Sequence, residues 1–184
     1  NFQAGIDYFL NDKTSLSGSA MYNIEDGLTK STLTYNDYTD GELSASSVRT
    51  DREQEDEENF ETALNFKREF SNEDHKLTAD FQFIRSIDGE TSDYTQTTDG
   101  PQIVQRGDNI SREQNWFLQS DYVHPFSKDG KAEAGFRSNT RTVENDYVLE
   151  EQYESGNWIA FPAFNNNMVY TERIHAAYLM AGNK

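Results

Sequence analysis

Arg137, Asn139 and Arg141 are spaced two apart, which on an extended chain aims all three side chains the same way. Two guanidiniums and an amide on one face can hold a carboxylate or phosphate, or meet a second polypeptide; a polar face in contact with water explains them as well. Further along, Trp158, Phe161 and Phe164 flank Pro162 in an otherwise polar stretch. Rings held in this way stack on sugars or other flat ligand faces, and the same rings also serve to pack a loop onto its neighbours. The run Asp51, Glu53, Glu55, Asp56, Glu57 and Glu58 offers hard oxygen ligands of the kind calcium takes. Its spacing is not that of a calcium loop, and neither Asp37, Asp40, Asp88 nor Asp99 supplies one. A solvated, self-repelling segment with at most loose divalent-cation binding is the expectation.

Other chemistry finds little support. His75, His124 and His175 are scattered, and no pair has the helical spacing of a zinc site, so no metal centre is expected. No serine sits in a nucleophile elbow and no glycine-rich phosphate loop occurs, so neither an enzyme nor a cofactor is expected. The chain has no cysteine, which excludes disulfides and thiolate chemistry. A net charge of −17 and a pI near 4.4 exclude an electrostatic grip on nucleic acid, which needs clustered Lys and Arg.

The elements that carry these residues read as strands. Only 34% of the residues are apolar but 13% are aromatic, a balance that suits many thin strands better than an aliphatic globular core or a disordered chain. Phe2, Ala4, Ile6, Tyr8 and Leu10 alternate with Gln3, Gly5, Asp7 and Asn11; after a turn at residues 11–14, Leu16, Gly18, Ala20 and Tyr22 share a face opposite Ser15, Ser17, Ser19 and Asn23. The same alternation sets Phe60, Thr62, Leu64 and Phe66 against Asn65 and Lys67, and, beyond a tight connection from Ser71 to His75, Leu77, Ala79, Phe81 and Phe83 against Asp80 and Gln82. Around a third turn at Ser127 to Gly130, Trp116, Leu118 and Tyr122 oppose Gln119 and Asp121, and Ala132, Ala134 and Phe136 oppose Glu133, Arg137 and Asn139. In the last strand Ile174, Ala176, Tyr178 and Met180 are expected on the apolar face, opposite Arg173 and His175.

Between these hairpins, residues 25–58, 87–113 and 144–169 read as long acidic loops, so short and long connections alternate. Bacterial outer-membrane barrels have that asymmetry, with short periplasmic turns and longer extracellular loops, and their strands need only about 9–11 alternating residues to cross the bilayer. Phe9 with Asn11, Phe70 with Ser71 and Asn72, and Phe126 with Ser127 mark equivalent strand-to-turn junctions at nearly even spacing, and the next falls at Gly182, Asn183 and Lys184, which read as a turn. Seven strands are expected, an odd number with two unpaired edges, so the all-β, up-and-down transmembrane wall over residues 1–184 is read as part of a larger barrel. A β-sandwich binding module or adhesin is the alternative, in which the aromatic residues would fill a core between two sheets.

The segments Gly5-Ile6-Asp7-Tyr8-Phe9-Leu10, Asp121-Tyr122-Val123-His124-Pro125-Phe126-Ser127 and Tyr170-Thr171-Glu172-Arg173-Ile174-His175-Ala176-Ala177-Tyr178 resemble the barrel of TonB-dependent receptors of the Bacteroidetes type. The resemblance implies a barrel of about 22 strands with a plugged lumen, set in outer-membrane lipid and lipopolysaccharide. It further implies active uptake of a solute (a metal chelate, glycan or peptide) energised by a TonB complex through parts N-terminal to the barrel. Neither the plug nor the energy-coupling segment is matched in this chain.

Overall fold

The computed structural model describes residues 1–70, 74–98, 100, 102–153 and 156–183; Ser71, Asn72, Asp99 and Lys184, named above, lie outside them. The described chain forms one antiparallel sheet of eight strands: β1 (Phe2–Asn11), β2 (Thr14–Thr39), β3 (Glu42–Glu69), β4 (Lys76–Thr97), β5 (Ile103–Pro125), β6 (Gly130–Gln152), β7 (Trp158–Ala160) and β8 (Asn166–Asn183). Each strand from β1 to β6 pairs with the next. β8 then pairs with β6 from Gly130↔Asn183 to Tyr147↔Asn166, and β7 continues that edge over Glu150 to Gln152.

Residues directly opposed in an antiparallel ladder point to the same side, so the register defines two faces. On one face Leu16, Phe66, Ala79 and Ser120 follow one another across the sheet, as do Gly18, Leu64, Phe81, Leu118 and Ser138. Phe83 packs its ring 4.2 Å from that of Trp116, and Phe81 lies 6.0 Å from the same indole. The opposite face carries Asn65, Asp80, Gln119 and Arg137 in one row. Nothing covers the aromatic face among the described residues. Among the described residues no apolar side chain is buried, and Leu64, Trp116, Leu118 and Phe136 keep 43–47% of their surface open. A β-sandwich would lay a second sheet over them, and the described residues form only the one.

Three expectations are corrected. Of the stretches expected as long loops, the first two are almost wholly strand: β2 and β3 run on to a two-residue turn at Asp40 and Gly41, and β4 and β5 extend to Thr97 and from Ile103. The third is strand up to Gln152, in β7 and from Asn166, and keeps a loop at residues 161–165. Apolar residues such as Ile24, Leu28, Leu33 and Tyr35 fall on both faces of these extensions among many polar ones, so they carry no regular hydrophobic alternation. Thr29, Thr32, Thr34, Tyr35, Thr91, Tyr94 and Thr95 supply strand propensity all the same, and the ladder needs only backbone groups. At the tip, Asp40 (φ 56°) and Gly41 (φ 86°) adopt the left-handed pair that a two-residue hairpin turn requires, a role for which Asp-Gly is suited. Secondly, the strands number eight and not seven, because the three residues of β7 are too few to show a period. Thirdly, Gly182 and Asn183 are no turn; they sit in β8 opposite Lys131 and Gly130.

The short connections at the other end match their turn chemistry. Asn11 Oδ1 accepts the Lys13 amide at 2.9 Å, and Lys13 Nζ reaches the Phe70 carbonyl of the neighbouring turn at 2.9 Å. The Phe126 amide donates to the Gly130 carbonyl at 3.0 Å, closing the β5–β6 turn.

The polar face and its concavity

Alternation places Arg137 and Asn139 of β6 on the polar face, opposite Gln119 and Phe117 of β5. With Gln82, Asn115, Phe117, Ile174 and Ala176 they line an open concavity of about 670 Å³. The Arg137 guanidinium lies 4.9 Å from the centre of the Phe117 ring, which fixes it over an apolar plate with its donors open to the hollow. Asn115 Oδ1 is shielded from solvent and has no hydrogen-bond partner among the described residues. The floor of the hollow therefore holds one cation, several amides and an acceptor in need of a donor.

Arg141 does not join them. Two turns of the pleat further along β6, its Nε and Nη2 each donate to Glu113 at 2.7 Å, a bidentate pair that holds the Glu113 carboxyl below its usual range. Trp158 is farther still, opposite Gln152, fifteen residues from Arg137 and roughly 50 Å away at about 3.4 Å per residue. Its parity puts it on the same side as the aromatic face, under the Arg106 guanidinium at 4.4 Å, while Arg106 pairs with Glu150 at 2.5 Å. Phe161 and Phe164 pack edge to face at 6.2 Å, with Phe164 62% exposed. Of the site residues expected from sequence, Arg137 and Asn139 thus line the hollow, Arg141 is held by Glu113 beyond it, and Trp158, Phe161 and Phe164 lie at the distal edge.

Phe117, Asn115 and Gln82 were not singled out from sequence, although their parity with Gln119 and Asp121 is readable there. Ile174 and Ala176 correct an expectation. With Tyr178 and Met180 they belong to the polar face, because Arg137 opposes Ala176 and Gly135 opposes Tyr178; the aromatic side of β8 carries His175, Ala177 and Leu179 instead. Both faces of β8 are partly apolar, so hydropathy alone does not choose between them. The Tyr178 hydroxyl confirms the side by donating to Asp121 at 2.8 Å.

Distal to the hollow the polar face turns acidic. Glu55 opposes Glu90 and Glu57 opposes Asp88, and like charges so placed repel. Partial burial, reinforced by Glu57 and Glu113, raises the Asp88 carboxyl above its ordinary range. A hydrogen bond from Glu53 to Glu55, with the charge of Glu90 beside it, raises Glu53. No group of three or more His, Cys, Asp or Glu side chains among the described residues is arranged to hold a metal ion.

Along the aromatic face the apolar stretch covers residues 16–22, 60–66, 77–83 and 116–122, roughly 20–25 Å of each strand. That is the height of the lipid-facing band of outer-membrane barrels. Residues 68–184, more than half of the chain, match the outer membrane protein beta-barrel family. The chain belongs to that family. No curated protein matches it. Membership places this β-barrel wall in the bacterial outer membrane, with the aromatic band as the surface that lipid covers and the concave polar face as the lumen side.

Proposed function

We propose that this barrel wall is part of a TonB-dependent receptor that takes up a solute actively across the outer membrane. The observation that carries the reading is the hollow around Arg137, Asn139 and Asn115, a lumen-side surface with unmet hydrogen-bonding capacity. The outer edges of β1 and β8 have no ladder partner among the described residues, and unpaired edges are costly in lipid. Further strands, up to a total of about 22, close the barrel around a plug. The long β2–β3 and β4–β5 hairpins then project outward among lipopolysaccharide, and the short turns face the periplasm, where the energy-coupling partner engages the segment before the plug.

Growth of a deletion strain on single sources of metal chelate, glycan or peptide tests the reading. Loss of growth on one source, reproduced by disabling the energy-coupling complex, is expected. A complete reading frame that lacks a plug domain, or uptake unaffected by uncoupling, overturns it.

A further inference from the structure

Arg173, Arg85 and Arg112 emerge on the lipid-covered face where its aromatic band ends. Arg173 of β8 lies in the row of Phe83, Trp116 and Thr140. Arg85 of β4 stands two residues farther toward the long hairpins, in a row with Tyr22, Phe60, Gln114 and Thr142. Arg112 of β5 stands two residues beyond that, opposite Ile87. Arg85 and Arg112 are thus diagonal neighbours, about 7–8 Å apart and within reach of one shared anion. They border a cleft of about 110 Å³ that Glu113, Gln114, Thr142 and Glu144 also line, the Glu113 carboxylate being held by Arg141.

The order of charge along this face sets these arginines apart. No carboxylate points to the lipid side in the rows of Arg173 and Arg85. Glu58 and Glu144 come level with Arg112, and Asp146 lies two residues farther out, 3.7 Å from the Arg112 guanidinium. Arg85 and Arg173 have no carboxylate partner among the described residues. In a chain of net charge −17, the first charges met on leaving the acyl region at this end are therefore cations. Long hairpins mark the extracellular end of such barrels, so this level is the headgroup layer of the outer leaflet. Guanidinium forks match phosphate oxygens bidentately. Lipopolysaccharide, the lipid of that leaflet, carries phosphate on the sugars of its lipid A, directly above the acyl chains.

We propose that Arg85, Arg112 and Arg173 form a binding site for the phosphates of lipid A on the outside of the barrel wall. Gln114 and Thr142 add hydrogen-bond donors inside the cleft. Arg173, two strands from β5 and so roughly 10 Å to the side, takes a second phosphate of the same headgroup. The site rests on membership of an outer-membrane family and not on the transport reading.

The test uses the full-length protein in detergent, freed of bound lipid and titrated with bisphosphorylated lipid A, with bound lipid counted by native mass spectrometry. The triple variant Arg85→Gln, Arg112→Gln, Arg173→Gln is expected to bind at least about tenfold more weakly than the wild type, the scale of losing a charged hydrogen bond. Arg85→Gln alone should show a smaller loss in the same direction. Arg52→Gln, which removes an outward arginine opposite Asp93 far along β3, should leave the affinity unchanged. Dephosphorylated lipid A and phosphatidylglycerol should bind the wild type no better than lipid A binds the triple variant. Heat-modifiable migration on gels confirms that each variant keeps its barrel. Equal affinity in the wild type and the triple variant overturns the site, and so does binding that survives removal of the lipid's phosphates. Displacement of the lipid by millimolar inorganic phosphate overturns it as well, leaving a site for free phosphate only.

Discussion

Tyr178 of β8 reaches across β6 to donate its hydroxyl to Asp121 of β5 at 2.8 Å, passing directly over Gly135. A Cβ on Gly135 would collide with Tyr178 Cε1 and Asp121 Oδ1. The bare backbone of Gly135 is what allows a ring on one strand to bond a carboxylate two strands away. Gly135→Ala is expected to destabilise the barrel by about 1–3 kcal/mol through overpacking. Tyr178→Phe should cost only about 0.5–1.5 kcal/mol, the net worth of one hydrogen bond. Urea unfolding of the full-length protein in liposomes measures both, and a smaller loss for Gly135→Ala would contradict the packing account.

Two neighbouring alanines test the faces of β8. Ala177 opposes Phe136 on the lipid-covered side, whereas Ala176 opposes Arg137 on the lumen side. Ala177→Arg is expected to cost up to about 2–4 kcal/mol in the bilayer, and Ala176→Arg much less. Leu118→Arg and Gln119→Arg on β5 form a second such pair. Folding yields in liposomes with the order reversed on β8 would restore the face assignment expected from sequence.

Acidity is expected to strengthen the distal hairpins. The Asp88 and Glu53 carboxyls have pKa values raised in the folded protein, so folding is penalised once pH climbs above their unfolded values. As pH falls through the raised folded values the carboxyls protonate and the penalty disappears. Amide exchange along β3 and β4 should therefore slow, after correction for intrinsic rates, between neutral and mildly acidic pH. Asp88→Asn should give part of that protection at neutral pH, and identical protection in the variant and the wild type would refute the account.

Arg137 and Arg141 share a face but not a role. Arg137 stands over Phe117 at the hollow, while Arg141 is engaged by Glu113. On the proposed function, Arg137→Ala is expected to weaken solute capture or plug seating by about tenfold or more, the scale of losing a charged hydrogen bond. Arg141→Ala should leave capture unchanged and cost at most about 1 kcal/mol of stability, since the pair is 33–44% exposed. Binding and uptake measured on both variants separate the two residues.

The strands that touch lipid were readable from sequence because a bilayer on one side and water on the other impose a strict alternation on residues 60–66, 77–83 and 116–122. The extensions beyond them were not, since water bathes both sides and nothing distinguishes odd from even positions. The Asp40-Gly41 pair was the available signal for the distal turn, and it was absorbed into a supposed loop. Arg137 and Asn139 were placed on their face by spacing alone, but the hollow around them depends on residues from β4, β5, β6 and β8 in register. The approach of Arg85 to Arg112 depends on the same register, which no spacing within one strand encodes.

β2 continues for seventeen residues beyond Tyr22 before it turns, and β3 returns beside it. At about 3.4 Å per residue that is a blade approaching 60 Å, longer than the bilayer is thick. Its lumen side bears Glu53, Glu55 and Glu57. These carboxylates lie well distal to Arg137 on the same side of the sheet. The lumen side thus carries negative potential along the blade and a guanidinium in the hollow farther in, an order of charge that repels anions at the distal end.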